Sequence, residues 1–459
     1  MRSFDLLIIG AGSGNSIIGP EHDSWDIAIA ERALFGGTCL NVGCIPSKMF
    51  VYTSELAELS NHGKNFGLDT RFKRADWPAI RDRIFGRIDP LAASGLEYRH
   101  GLPNVTVFEH SARFVAPMQV AVGNEVITAE RIVIAAGAGP SIPPIVGLED
   151  CGYHTSDTIM RVDTLPNRLL VIGGGYIAAE LGNVMGVLGS DVTFILRGET
   201  FLRREDTEIS SRFTDAYNRK FNVLFHTRII EACREGGEVV LHVSSNGETS
   251  EQLRGDVLLV ATGRRPNTEP LNLTAAGIDT DKRGYIMTDD QCRTNVDNVW
   301  ALGDIANPIQ LKHVANHEAR VVRHNLTLTD TDDPVTVDHR FIPHAVFGSP
   351  QVASVGLTES DCRRNGISYA GYVHPYSSTA YGWAMEDTTS VVKVIADSET
   401  QLLLGAHIIG PQASTLIQQL IQCMHFGLTV SEIAHEQYYI HPALPEVIEQ
   451  ALIGLEREL

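Results

Sequence analysis

Apolar runs that stop abruptly at glycine recur along this chain and set out its organisation. FDLLIIG (residues 4–10) leads into AGSGN, and a second run, DIAIAE (26–31), follows. RLLVIGGGYIAAE (168–180) and DVTFILR (191–197) repeat the arrangement further along. An apolar run, a G-x-G turn, a helical segment and another apolar run is the order of a βαβ dinucleotide unit. Three more runs end in similar turns: ERIVIAAGAGP (130–140), GDVLLVATGRRPN (255–267) and VWALGDIA (299–306). Together they predict a nucleotide unit over 1–145, a second over 146–266 and a return to the first over 267–335. From Asp338 the pattern changes to alternating runs, YAGYVHPY and SVVKVIAD, and then a long helical stretch at 412–426. These predict an α+β module over 336–459.

Composition narrows the partners. The 459 residues are enough for about three domains. A formal net charge of −19 argues against a nucleic-acid or anionic-membrane partner, because both require a basic face. MRSFDLLIIGAGSGN has no cationic region or cleavage site and reads as a strand entering a turn, not as a signal peptide. No apolar stretch approaches the roughly 20 residues of a bilayer span. The expectation is a cytoplasmic protein without membrane contact.

The two glycine turns differ in chemistry. The first supplies Gly10, Gly12 and Gly14, with Asn15 where a third motif glycine belongs, so the turn there must be wider or adjusted. Glu31 ends the following run, where a carboxylate accepts hydrogen bonds from a ribose diol. The second turn has Gly173, Gly175 and Ala178, but no acid follows. Leu196 and Arg197 occupy that place, with Arg203 and Arg204 beyond, which favours a 2′-phosphate and so NADPH.

GGTCLNVGCIPSK (36–48) holds Cys39 and Cys44, the only cysteines of seven that form a motif; Cys151, Cys233, Cys292, Cys362 and Cys423 read as small buried hydrophobes. In a regular helix, Cα atoms five residues apart are about 8.6 Å apart, whereas a disulfide needs less than about 7 Å. Bonding therefore requires a deformed helix, which Gly43 and Pro46 would permit. Spacing alone leaves a redox disulfide, a structural disulfide and a metal pair open, although C-x4-C is wide for zinc and no second ligand pair lies nearby. Near the C-terminus, IHPALPE places Glu446 where it can hold one nitrogen of His441 and leave the other free for proton transfer. His425 and His435 have no carboxylate at matching spacing and read as structural.

These motifs in this order resemble the flavin-dependent pyridine nucleotide–disulfide oxidoreductases of the glutathione reductase and dihydrolipoyl dehydrogenase architecture. The resemblance covers nearly the whole chain, and GGTCLNVGCIP is its most specific part. It implies an α/β fold with two Rossmann-like nucleotide-binding domains plus a C-terminal α+β dimerisation domain, FAD and NADPH as cofactors, and no metal. It implies further that Cys39 attacks the substrate, that Cys44 lies against the flavin, and that Glu180 pairs with Lys48 beside it. Tyr176 would cover the nicotinamide pocket, and Arg197 and Arg203 would bind the phosphate. Asp304 would bind the ribityl chain, with Gly37, Thr38, Gly137, Gly263 and Gly303 among the cofactor contacts. His441 and Glu446 would form an acid–base dyad reaching the active site of the other subunit of a homodimer.

The implied substrate is the disulfide of a low-molecular-weight thiol. Where glutathione-binding members carry an arginine after the first turn, this chain offers Glu21 and Asp23. The combination GSGNSI, FGGTCLNVGCIPSKMFVYTSELA and IHPALPEVIEQAL looks most like members that reduce mycothiol disulfide. A dihydrolipoyl dehydrogenase of a multienzyme complex and a flavin NAD(P)H oxidase or quinone reductase are the alternatives.

Overall fold

The first apolar run, Arg2–Ile9 (β1), lies inside a seven-stranded sheet of a computed structural model that describes residues 1–245, 251–328 and 332–459. Ile27–Ala30 (β2) and Val105–Phe108 (β3) extend the sheet on one side of β1. Glu125–Ile134, numbered β6 below, pairs with β1 on the other side. All of these pairs are parallel, and Val299–Ala301 adds a further parallel strand against the end of β6. Ala112–Ala116 (β4) and Gln119–Val122 (β5) complete the sheet, β5 running antiparallel to the start of β6. All four residues of β2 are buried, as expected of a parallel strand covered on both faces.

The crossover from β1 to β2 departs from the helical segment that the sequence pattern predicts. It contains only two single-turn 3₁₀ elements, Gly14–Ser16 and Pro20–His22. Residues 11–26 must span the sheet and include Gly14, Gly19 and Pro20, which leaves no room for a multi-turn helix. Asn15 is part of this adjusted turn. Its side-chain oxygen accepts from Arg99 Nε at 2.8 Å and its carbonyl accepts from Arg99 Nη2 at 2.8 Å. Arg99 ends the long helix Trp77–His100 and is itself buried.

The second glycine turn sits in a four-stranded parallel sheet in the order Asn222–Leu224, Asp191–Ile195, Arg168–Ile172, Val257–Val260. Here a full helix, Tyr176–Leu188, follows the turn. A three-stranded antiparallel sheet flanks it: Thr227–Glu235, Glu238–Ser245 and Glu251–Gly255. The chain enters and leaves this unit through one two-stranded antiparallel ribbon, Ala138–Pro140 against Arg264–Pro266.

The C-terminal sheet is five-stranded and antiparallel, in the order His344–Val346, Val352–Gly356, Leu403–Ile409, Val391–Asp397, Tyr369–Pro375. Helices Ala413–Phe426 and Pro445–Glu456 share a core with it. Val391–Asp397, read from sequence as alternating, is buried at its first six positions. Val391 joins the core containing the Thr207–Lys220 helix while Val392 joins the C-terminal core, so both faces of the strand are covered. Lys393 is tolerated there because its Nζ meets Asp206 Oδ1 at 2.7 Å and Glu359 Oε2 at 3.1 Å. No helix among the described residues is long and apolar enough to cross a membrane.

Candidate active site

The two cysteines occupy a break between helices. Gly37–Asn41 (α1) carries Cys39, and Cys44–His62 (α2) begins at Cys44. Between them Val42 and Gly43 leave helical geometry, so the deformation required by the spacing is present. A Cβ on Gly43 would come within 2.9 Å of the Thr38 carbonyl oxygen, so glycine is what lets the turn fold onto α1. Buried Asn41 holds the preceding turn, its Nδ2 donating to the carbonyls of Phe35 at 2.9 Å and Gly37 at 3.0 Å. Both cysteines are thiols in this structure. The Cys44 thiol donates toward the Cys39 sulfur, and this contact, reinforced by Lys312, holds Cys39 down to about 7. The same contact and burial push Cys44 well up.

Both cysteines line a cavity of about 2330 Å³ whose walls come from both nucleotide units and the start of the C-terminal sheet. Its glycines fit extended cofactors held by backbone. Gly10 has φ +104°, and a Cβ there would lie 2.4 Å from the Ala135 carbonyl oxygen; Gly173 repeats this at φ +133° and 2.3 Å from Ala261. Gly137, Gly175 and Gly263 also line the cavity, and a Cβ on any of them would meet nothing within 4 Å. Thus two glycines let strand and turn close together, while three leave open backbone facing the cavity. Gly14 lies outside the cavity wall, buried against Ile8 and Ala135, and takes over the close packing that the glycine replaced by Asn15 would have provided.

Most of the other sequence-selected residues converge here. Gly12, Glu31, Gly37 and Thr38 line one end of the cavity, and Tyr176, Glu180, Arg197 and Arg203 line the other. Glu31 accepts from the Ala11 N–H at 2.8 Å and the Ala33 N–H at 2.9 Å, which fixes its carboxylate over the first turn. Arg197 and Arg203 are exposed, and neither makes an ion pair among the described residues. Gly303 and Asp304 also line the cavity. Burial raises Asp304, and Glu318 braces its loop: the Gly303 N–H donates to Glu318 Oε2 at 2.6 Å and Asn307 Nδ2 donates to Oε1 at 2.8 Å. His339 Nε2 lies 3.3 Å from the same Oε1.

Other expected contacts are absent. Lys48 does not line the cavity, whereas Ser47 does. Lys48 Nζ lies 3.5 Å from Glu55 and 4.2 Å over the Phe347 ring, while Glu180 accepts from the Phe347 N–H at 2.9 Å. Phe347 therefore stands between the expected partners, and burial pushes Glu180 up to about 7. His441 and Glu446 meet as anticipated, Nδ1 to Oε1 at 2.6 Å, but they lie outside this cavity, with the imidazole 69% exposed. His435 has a carboxylate after all: Glu456, across 21 residues, at 2.9 Å. Cys233 is half-buried, unlike the four remaining unpaired cysteines.

Sequence reasoning missed Lys312, which lines the cavity and donates to Ser13 Oγ at 2.8 Å, and it missed the Glu318 brace. A lysine at the first position of a helix was the available signal for the former.

Comparison with known proteins agrees with this geometry. Residues 4–319 match the family model described as pyridine nucleotide-disulphide oxidoreductase, and residues 342–452 match that family's dimerisation domain. A mycothione reductase from Mycobacterium tuberculosis is 46% identical over 464 residues, covering 99% of this chain and 100% of that protein. Dihydrolipoyl dehydrogenase 3 from Haloarcula marismortui is 32% identical, covering 98% of this chain and 96% of the relative. Among solved structures, the HOCl-induced flavoprotein disulfide reductase RclA from Escherichia coli superposes with a TM-score of 0.86 at 28% identity, covering 98% of this chain and 99% of that one.

Proposed function

Because this chain belongs to the pyridine nucleotide-disulphide oxidoreductase family and is a flavin disulfide reductase using FAD and NAD(P)H, we propose that it reduces mycothiol disulfide with NADPH. The carrying observation is the Cys39–Cys44 pair set in a cavity that both glycine turns share. NADPH is favoured over NADH by unpaired Arg197 and Arg203 and by Leu196 where a ribose-binding acid would stand. Mycothiol disulfide is favoured by the 46% identical mycothione reductase, which covers the whole chain far more closely than the dihydrolipoyl dehydrogenase does.

FAD, when bound, relays two electrons from the nicotinamide to the cysteine pair. In the reduced pair Cys39 is the attacking thiolate, its sulfur held near neutrality by Cys44 and Lys312. Attack breaks the substrate S–S bond and forms a mixed disulfide on Cys39, releasing one thiolate. That thiolate takes a proton from His441 of the partner subunit, whose Nε2 is left available when Glu446 binds Nδ1. Cys44 then attacks Cys39, frees the second thiol and restores the intramolecular disulfide. Glu180 and Lys48, on either side of Phe347, flank the flavin ring, and Tyr176 covers the nicotinamide position. Asp304, Glu31, Gly10, Gly12, Gly37, Thr38 and Gly137 serve FAD; Gly173, Gly175 and Gly263 serve the nicotinamide nucleotide. The domains then divide as FAD-binding 1–145, NADPH-binding 146–266, central 267–335 and dimer interface 336–459, in a cytoplasmic homodimer whose active sites are shared. That dyad lies away from the cysteines of its own chain, as a shared site requires.

The test is NADPH oxidation against mycothiol disulfide, glutathione disulfide, lipoamide and trypanothione disulfide. Turnover of mycothiol disulfide, with NADH a poor donor, is the expected result. Preference for glutathione disulfide or for lipoamide with NAD would overturn the assignment.

A further inference from the structure

The helix Lys312–Leu326 begins against the usual charge preference. A helix N-terminus carries partial positive charge and favours Asp or Glu in its first turn. This one has no acid in that turn, no side-chain cap from Leu311, and a lysine at its first position. Two like charges gathered at a cavity wall imply that something anionic faces them.

The geometry locates it. Lys312 Nζ is pinned to Ser13 Oγ at 2.8 Å. Ser13 follows Gly12, and the Gly12 backbone touches Gly37 so closely that a Cβ on Gly37 would come within 2.7 Å of the Gly12 Cα. Gly37 opens α1, and Cys39 stands two residues on. The ammonium is thus moored beside the start of the cysteine turn, and Ser13, Lys312 and Cys39 line the same cavity. The charged or titratable groups acting on Cys39 are Cys44, Lys312 and Asp304. Asp304 opposes a thiolate there, and it is itself offset by Arg264 and Lys312 while Glu318 adds to it. Lys312 is the one cation acting on Cys39 in this set.

We propose that Lys312 is a positioning residue for the reaction, a fixed counter-charge moored on Ser13 that keeps Cys39 as a thiolate near neutral pH. This rests on the reading of Cys39 as the thiol that attacks the substrate. Cys44 sits on the far side of the helix break and donates to Cys39, so it cannot take over as the cationic partner.

The test is the pH profile of iodoacetamide alkylation of the NADPH-reduced holoenzyme, with the labelled cysteine identified by mass spectrometry. In Lys312→Met the Cys39 midpoint should move up by about one pH unit, slowing alkylation at pH 7 about fivefold. Lys312→Arg should restore the wild-type profile, and Ser13→Ala, which only unmoors the ammonium, should give a smaller shift in the same direction. An unmoved midpoint in Lys312→Met overturns the proposal, whether or not FAD is lost, since FAD loss alone would mean that the lysine serves the cofactor. If wild-type label falls first on Cys44, the reading of Cys39 fails, independently of how Lys312→Met behaves.

Discussion

The two glycine turns begin alike and end differently. In both, a positive-φ glycine brings the strand end against a neighbouring carbonyl, Ala135 for Gly10 and Ala261 for Gly173. After Gly175 the chain winds into a 13-residue helix rich in small and apolar residues. After Gly12 it makes only 3₁₀ turns, and the packing that a helix would supply comes instead from Arg99, gripping Asn15 from a distant element. The strands that follow diverge as well, one closing on Glu31 and the other on Leu196 and Arg197. The motif dictates the close approach of backbone to cofactor; crossover length and strand-end charge decide everything after it.

The most severe way to break the comparison is to fill either glycine. Gly10→Ala and Gly173→Ala each force a methyl against a backbone carbonyl at a positive φ, with an expected cost on the order of 3 kcal/mol or more. Flavin absorbance after gel filtration should fall for Gly10→Ala. Gly173→Ala should keep its flavin but lose reduction by NADPH; equal flavin loss in both would erase the distinction between the turns.

Charge comes next. Replacing Arg197 or Arg203 by Leu should raise the KM for NADPH by about 10- to 100-fold, the weight of one charge-assisted contact. The KM for NADH should stay unchanged, and a parallel rise would show that the arginines act on folding instead of on the phosphate.

A subtler test is Asn15→Gly, which restores the usual motif. It leaves the buried Arg99 guanidinium without its side-chain acceptor, so thermal unfolding should show a loss of about 1–3 kcal/mol. A gain in stability would mean that Asn15 is replaceable and that the 3₁₀ crossover does not depend on the Arg99 clasp.

The smallest effect concerns the brace under Asp304. The hydrogen bond to Glu318 raises His339 above its ordinary value of 6.5. The charged contact is therefore complete below pH 6.5 and is lost as pH rises through the raised value. The other groups around it are His317 and Asp338, with Asp304 and Cys292 facing Glu318. FAD release followed by fluorescence should be about threefold faster in His339→Gln than in wild type at pH 6, and equal to it at pH 8.5. A constant ratio across that range would remove the titration from the account.

Legibility in the sequence followed the range of the interactions. The strand–turn order, the broken helix between Cys39 and Cys44, and the His441–Glu446 contact all depend on residues a few positions apart, and all were visible before the structure. What escaped depends on distant partners. Arg99 lies 84 residues from Asn15, Glu456 lies 21 from His435, and Lys312 lies 299 from Ser13. Lys48 and Glu180 were paired in expectation, but Phe347, contributed by the C-terminal part of the chain, lies between them. Local spacing carries no information about such third parties.

The ribbon of Ala138–Pro140 against Arg264–Pro266 has an evolutionary reading. Its register joins Pro140 to Arg264, so the stretch between them leaves and rejoins its host at points one strand spacing apart, about 5 Å. Geometrically, the whole nicotinamide-binding unit occupies the tip of a hairpin. A two-residue turn from Pro140 to Arg264 would close the gap behind it, and the seven-stranded sheet would keep every one of its strands. The architecture is that of an ancestral flavin binder into whose loop a second nucleotide binder, carrying the same turn, was spliced.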